Sequence, residues 1–507
     1  MRFVIDFIKN EKYELVFYLL LLIAFTLRIY GIDSYRGIDE SYEVNRALNA
    51  LNGEFDWSRN LKGGLYIILI PLYAIASIFT NDYHSFIIIG RCVQVIIGLG
   101  IIYAIYRCLS LFYDRQIVLL FLLPPIFSSK LITSAHFVNV QNLMYLGILI
   151  HLYLIFCFFD TQKNNYLYRS FIPLSIAVSC SALALITWVP FFILIMIVIK
   201  NYNHIDRSAF VKKLMRYLLL SIGIYLILTP GIIISFQQNL ALLMKFMGFT
   251  SQFISDKAEL ESFMLDVNKN IFLEYSSYIK NYFGRIQLFI IIGSIITIFV
   301  NKKWKYFYPI GIFLAFFIVL LSAPKYMYDG KYLIPGLIMG YIIMPHLHSS
   351  IGHYVKKKGF IYEKIYIVFT CLILILFLRS GYNSGKKVLE YGLPDTRVLM
   401  AEWLNQNTNK NDKILLQDTQ NFPVVPHADQ AIYIDHWDAY PKLNDVKADF
   451  IIINKETIQY LNNKNINANY ITFYNELSKS DEWNLTYSLN PIKKKISGPD
   501  LEIFSKK

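Results

Sequence analysis

Residues 88–107 read IIGRCVQVIIGLGIIYAIYR, an apolar run as long as the ~20 residues a helix needs to cross the hydrocarbon core of a bilayer. Similar runs recur outward from it, near 13–31, 116–132, 140–159, 170–186, 188–199, 214–236, 285–301, 306–323, 332–348 and 364–381. Composition agrees. The 507 residues are 55% hydrophobic and only 17% charged, with mean hydropathy +0.41, whereas a soluble globular chain carries about 25% charged residues. A cytosolic enzyme and a disordered chain are excluded, and a polytopic membrane protein is expected.

The net charge of +13 is unevenly placed. Residues 382–507 hold 15 Lys and Arg against 16 Asp and Glu, a net of −1, so the first 381 residues carry +14. Basic loops mark the cytoplasmic side, and this excess therefore sets orientation and argues against a nucleic-acid partner. Arg2, Lys9 and Lys12 precede the first run, and five later loops are rich in Lys and Arg, at 107–115, 163–169, 200–216, 302–305 and 356–364. With all six inside, about eleven helices alternate across the membrane. The loops 32–63, 237–284 and 324–331 and the tail from 382 then face outward. The first run reads as an anchor, without a cleavable signal. The five cysteines all sit in apolar segments with no paired spacing, so neither a disulfide framework nor a zinc site is indicated.

Two segments need special treatment. Residues 64–80, GLYIILIPLYAIASIFT, are apolar enough to span but would break the alternation, so an interfacial or re-entrant helix on the outer face is expected, bent at Pro71. Residues 170–199 must cross twice, with the turn expected at Thr187 and the Val189–Pro190 step.

The tail is a different kind of sequence. A helix is expected over 395–408, capped by Asp395 or Thr396. Strands are expected at 413–417, 431–435, 449–453, 468–474, 484–489 and 501–504. The chain thus reads as an all-α membrane bundle over 1–381, with interfacial helices in the first outer loop region 32–87 and a lid-like loop at 237–284. A C-terminal extracytoplasmic α/β domain follows over 382–507.

Chemistry is sought where polar groups defy the general rule of membrane segments. The first outer loop contains RGIDESYEVNRALNALNGEF, in which Asp39 and Glu40 open a helical pattern carried by Tyr42, Val44, Ala47, Leu48 and Leu51. Adjacent carboxylates can bind a divalent ion or take a proton from an attacking hydroxyl. Helix capping plus a solvated charge explains them equally well. Lys62 stands before Gly63–Gly64 at headgroup depth, where it suits a phosphate contact or a snorkelling surface charge, and the glycines would let backbone approach a ligand. His136, Asn139, Gln141 and Asn142 cluster in the outward turn before the 140–159 run, and Lys325 and Lys331 flank a turn at Asp329–Gly330. The two lysines suit an anion or a snorkelling pair. All four spots fall on the outer side, under a loop long enough to act as a lid.

At these residues the chain resembles the GT-C superfamily of integral-membrane glycosyltransferases, specifically glycosyltransferase family 39, which includes protein O-mannosyltransferases and bacterial lipid A aminoarabinose transferases. The resemblance covers about residues 13–200 well and 201–400 by layout. It rests on the Asp39–Glu40 pair followed by the aromatic Tyr42 and a helix ending in Asn-Gly, then NLKGGLYIILIPLYAIASIF, with Gly63 and Gly64 where the family has prolines, then the helix led by Arg91. One departure is plain. The family pattern Ser-His-Phe-Ala-Thr-x-Asp becomes SAHFVNVQN, so Gln141 stands where an Asp would be. Gln neither takes a proton nor binds a metal well.

The resemblance implies an inverting transfer of a sugar from a polyprenyl-phosphate donor to a hydroxyl of a glycan, lipid or protein acceptor, at the outer face of the cytoplasmic membrane. Asp39 would be the base and Glu40 a positioning group. Lys62, Arg91, Lys325 and Lys331 would hold the donor phosphate, and Tyr42, His136, Asn139 and Gln141 would line the substrate site. The resemblance implies no certain cofactor and leaves a divalent metal open, for which Asp39 is the candidate ligand. The alternative is a lipid or glycan transporter, or a catalytically divergent relative. A transporter places ionisable groups at mid-span and repeats its halves, whereas this chain has almost no charges at mid-span and no evident repeat.

Overall fold

The computed structural model describes residues 2–33, 38–54, 63–80, 82–201, 207–230, 285–322, 334–356, 360–409, 411–417, 431–434, 440–463, 469–491 and 500–507. The chain divides into two compact units. One comprises Met1–Ile29 with Arg46–Gly385, and the other Tyr30–Asn45 with Lys386–Lys507.

The larger unit is helical. Its first helices are α1 (Arg2–Ile29), α2 (Ile38–Leu51, which begins in the smaller unit), α3 (Tyr66–Ala76), α4 (Tyr83–Ser110), α5 (Arg115–Ile126), α6 (Ser129–Ala135) and α7 (Gln141–Thr161). They are followed by α8 (Asn164–Arg169), α9 (Phe171–Cys180), α10 (Trp188–Asn201), α11 (Arg207–Leu228), α12 (Arg285–Val300) and α13 (Phe307–Ser322). The last three are α14 (Ile334–Ile343), α15 (Pro345–Lys356) and α16 (Phe360–Tyr391). Among the described residues four helical stretches are long and apolar enough to cross a bilayer: Tyr83–Ser110, Gln141–Thr161, Ala182–Lys200 and Ile361–Glu390. The pair α5 and α6, bent by 62°, makes a fifth if it is one broken span. Shorter apolar helices at Gly63–Ala76, Gln287–Val300 and Phe307–Phe317 add to them. This is an integral membrane protein.

Local sequence explains the ends. Asp82 caps α4 by accepting from the backbone of His84 and Ser85 and from Ser85 Oγ. These bonds, led by the Ser85 hydroxyl, hold its carboxyl below the usual range. Helix α2 stops at Asn52–Gly53, where Gly53 takes φ +80 and Glu54 N returns to Asn49 O at 2.8 Å.

The segment 170–199 breaks, but not where a proline would break it. Ser181 is extended (φ −161, ψ 132), and its hydroxyl accepts from Leu183 N at the start of a 3-10 stretch, Ala182–Thr187. The Val189–Pro190 step lies instead inside α10, just after the 3-10 stretch gives way to α-helix.

The smaller unit carries α17 (Thr396–Asn407), β1 (Ile414–Gln417), β2 (Ala431–Ile434), β3 (Phe450–Asn454), α18 (Lys455–Asn463), α19 (Asn469–Leu477), β4 (Trp483–Leu489) and β5 (Leu501–Lys506). The sheet order is β2-β1-β3-β5-β4. β1 runs parallel to both β2 and β3, while β5 is antiparallel to β3 and β4. The central strands are buried on both faces. Ile414, Leu416 and Ile452 pack with Met400 and Leu404 of α17, and Leu415, Ile451 and Ile453 pack with α18 and α19 through Leu461, Tyr470, Phe473 and Leu477. Residues 468–474, expected as a strand for their aromatic and β-branched content, are helical. Tyr470, Phe473 and Leu477 are the buried positions, a spacing of three and four that only a helix places on one face.

Candidate functional site

The acidic pair falls in the first turn of α2. Glu40 and Glu43 are buried, and both make polar contacts. Asp39 and Tyr42 belong to the same helix, but their side chains lie outside the described residues, as do Lys62, Lys325, Lys331 and the loop 237–284. Asp39 to Asn45 belong to the smaller unit and the remaining described candidates to the larger one.

In the larger unit the structure joins α4 to the turn between α6 and α7. Asn142 Nδ2 donates to Gln94 Oε1 at 2.8 Å and to Ser134 O at 2.7 Å. Ser134 Oγ donates to Asn142 Oδ1. Asn139 Nδ2 donates to Ser134 O at 2.8 Å and to Phe137 O at 3.1 Å, and its Oδ1 accepts from Asn142 N. His136, almost fully buried, donates from Nδ1 to Ile132 O at 2.9 Å. Gln141 opens α7 and is buried. One turn before Gln94, Gly90 lets Tyr73 of α3 and Val138 of the turn approach. A Cβ there would lie 2.5 Å from the Tyr73 hydroxyl and 2.6 Å from a Val138 methyl. Arg91 is buried on α4 between these two points of contact.

Four expected residues, Arg91, His136, Asn139 and Gln141, thus come from one packed corner of α3, α4, α6 and α7. The corner holds Arg91 and is rich in amide and imidazole groups. Such groups suit hydroxyl-bearing ligands and a single anionic centre, because amides offer donors and acceptors together. Gln94 has an Nε2 donor with no partner among the described residues. Among the described residues no three His, Cys, Asp or Glu side chains gather into a metal cluster.

The paired glycines have a different role from the one expected. A Cβ on Gly63 would lie 1.7 Å from Leu228 O, and one on Gly64 would lie 2.5 Å from Ser179 Oγ and 2.7 Å from Cys180 Sγ. Their lack of side chains lets the chain after Lys62 press against the ends of α9 and α11. Sequence reasoning also missed Gln94, Ser134 and Arg28. The available signal was a polar residue inside an apolar run, at Gln94 in 88–107 and at Arg28 in 13–31.

No protein-family model matches the chain, and no curated protein sequence matches it. Solved structures do. An oligosaccharyltransferase of Archaeoglobus fulgidus, tethered with an acceptor peptide, aligns with TM-score 0.56 at 11% identity over 90% of this chain and 70% of its own. The archaeal oligosaccharyltransferase AglB from Archaeoglobus fulgidus, in complex with an inhibitory peptide and a dolichol-phosphate, aligns at 0.53 and 11% identity, over 90% and 71%. ArnT from Cupriavidus metallidurans in the apo state aligns at 0.54 and 10% identity, over 98% of both chains. At such identities the likeness is one of fold alone.

Proposed function

We propose that the protein is a membrane glycosyltransferase that moves a sugar from a polyprenyl-phosphate donor to an acceptor hydroxyl on the outer face of the cytoplasmic membrane, with inversion. Asp39 takes the proton of the acceptor hydroxyl. The hydroxyl oxygen bonds to the anomeric carbon, the bond from that carbon to the phosphate oxygen breaks, and the electron pair leaves on the lipid phosphate. Lys62, Arg91, Lys325 and Lys331 balance the charge of that phosphate, and Glu40 positions the acceptor. Tyr42, His136, Asn139 and Gln141 contact sugar or acceptor. Phosphate is a good leaving group, so a base and well-placed cations are the main requirements. A donor with a lipid tail reaches such a site without leaving the bilayer.

The observation that carries this reading is the acidic pair in the first turn of α2, in a chain whose fold is like those of the Archaeoglobus fulgidus oligosaccharyltransferase and of ArnT. The dolichol-phosphate held by the Archaeoglobus fulgidus neighbour supports a lipid-phosphate donor. About eleven crossings, a cytoplasmic N-terminus and an extracytoplasmic α/β domain complete the proposal. The test is donor turnover. Wild type and Asp39→Asn, purified in detergent, are given a panel of radiolabelled polyprenyl-phosphate monosaccharides with cell-envelope extract, and sugar leaving the lipid is followed. Release by wild type and loss of at least about a hundredfold in the variant is the expected result, in the range that a general base contributes. Equal release by both removes Asp39 as the base. Binding of a donor without any turnover makes Gln141 the mark of a divergent, non-catalytic relative.

A further inference from the structure

We infer that the bend between α5 and α6 is a pinned joint that aims the 134–142 turn, with Arg28 as its positioning residue. The catalytic consequence rests on the glycosyl-transfer reading, but the joint itself does not.

Helix α5 ends at Ile126 and α6 starts at Ser129, with 62° between them. A helix end leaves its last carbonyls without helical partners, and Pro124 and Pro125 remove two further N–H donors. In a bilayer no water replaces them, so a break at that depth must be satisfied by protein. Three successive carbonyls are satisfied here by side chains from helices remote in sequence. Arg28 of α1 donates from Nη2 to Pro125 O at 3.4 Å and from Nη1 to Ile126 O at 3.5 Å, while Nη1 also reaches Ala24 O at 3.0 Å. Ser384 of α16 donates to Phe127 O. Ser128 Oγ then accepts from Leu131 N and caps α6.

The packing around the joint leaves room for these donors. A Cβ on Gly98 would lie 3.3 Å from the Arg28 Cδ and Nε and 3.2 Å from the Ala135 Cβ, and a Cβ on Gly381 would lie 2.9 Å from the Phe127 ring. Arg28 is wholly buried, so it does not snorkel to an interface. Among the described residues no carboxylate pairs with it. The negative end of the α5 dipole takes the place of a counter-ion, which ties the charge to this one helix end. Helix α6 is only seven residues long. It acts as a short rod, and a change of angle at the joint displaces Ser134, His136 and Asn139 directly.

The experiment uses the full-length protein in detergent and reads amide hydrogen exchange together with sugar release. In Arg28→Met, exchange over 127–142 should rise by about tenfold or more while α7 beyond its first turn and the C-terminal domain hold their rates. Arg28→Lys should fall between the two, since an ammonium lacks the planar fork that reaches two carbonyls. Ser384→Ala and Gly98→Ala disturb the same joint from its other sides and should give the same local pattern at about threefold. If Arg28→Met does not fold, these two variants carry the test. Sugar release should fall by about ten- to a hundredfold in kcat with the donor KM within about threefold, because a misplaced turn harms the reacting geometry more than lipid binding. Exchange that rises evenly through α4 and α7, or that stays at the wild-type rate in every variant, overturns the joint. Unchanged kcat alongside the local exchange pattern overturns its role in catalysis. Absence of release from wild type with every donor removes the glycosyl-transfer reading instead, and the exchange pattern still decides the joint.

Discussion

The two compact units handle buried polar groups in opposite ways. Among the described residues of the membrane unit, several of them meet neutral partners. Arg28 meets carbonyls, Asn142 meets Gln94 and Ser134, and His151 donates to Ser170 O while its other ring nitrogen meets the Tyr308 hydroxyl. In the C-terminal α/β domain the buried carboxylates Asp395 and Glu502 meet opposite charges. Arg397 makes a two-pronged bridge to Asp395 at 2.8 Å, and Lys455 reaches Glu502 at 2.8 Å, with Tyr474 donating to the same carboxylate. The membrane unit does have an ion pair, Arg115 with Glu14, but it is loose at 3.7 Å and both side chains are exposed. The contrast follows from solvent. Removing two charges from water costs more than their attraction returns unless water stays near, whereas amides and hydroxyls lose less and still form strong bonds where competition is absent.

The largest effect should come from putting a charge into the neutral network. Asn142→Asp keeps the shape of the side chain but removes the donor that serves Gln94 and Ser134 O, and it brings acceptors towards acceptors. Destabilisation of about 3 kcal/mol or more is expected, the sum of lost donors and a buried, unmatched carboxylate. Asn142→Ala should lose less. Exchange protection of α6 and the first turns of α7 is the measurement, since a chain of two units need not unfold in one step. Equal losses for Asp and Ala would break the contrast at its strongest point.

The reverse change in the C-terminal domain should be milder. Asp395→Asn can still cap α17, where the carboxylate accepts from Arg397 N at 2.8 Å, but it gives up the bridge to the guanidinium. About 1 kcal/mol is expected, typical of a charge-assisted bond with water close by. Protection of the α17 amides gives the value.

How much of this was legible in the sequence depends on the kind of signal. Apolar runs and the α2 pattern with its Asn-Gly stop were readable because periodicity and turn chemistry are local. The capped helix at Thr396–Asn407 was readable for the same reason. Within the site, His136, Asn139 and Gln141 stood out as a polar cluster at the end of a run, but the bonds that Asn142 makes to Gln94 join positions 48 apart. No local rule finds such a pair. Arg28 was missed for a related reason, since a basic residue near the end of an apolar run is normally an interface anchor and only burial distinguishes the two. The misread strand at 468–474 shows composition competing with periodicity. Aromatic and β-branched residues favoured a strand, and the three-and-four spacing of Tyr470, Phe473 and Leu477 prevailed.

A smaller effect is set by pH. The Glu502 hydrogen bond raises the Lys455 pKa above its ordinary value. A raised lysine contributes stability that is complete below the unfolded pKa of about 10.4 and is lost as pH rises through the higher folded value. Lys455→Met should therefore weaken the β3–β5 pairing near neutral pH by up to about 1 kcal/mol, discounted because the ammonium is partly solvated. The gap between the variant and wild type should close as pH rises through the folded pKa. A gap that persists there would mean the lysine acts through its aliphatic stem.

The smallest effect has the opposite sign and tests whether charge is always welcome in this domain. Burial, and then Asp500 nearby, push the Glu456 carboxyl above its ordinary pKa. The folded state thus prefers it protonated. That preference contributes fully below the unfolded value of about 4.3 and is lost as pH rises through the folded one. At neutral pH Glu456→Gln should stabilise the domain by a few tenths of a kcal/mol, with the gain fading below about pH 4. One term opposes this. Glu456 lies in the first turn of α18, where Asn454 Oδ1 accepts from Glu456 N and a negative charge is favoured by the helix dipole. If the glutamine variant is less stable at pH 7, the helix end outweighs Asp500. Charge would then be favourable throughout the domain, and the contrast with the neutral network of the membrane unit would be sharper still.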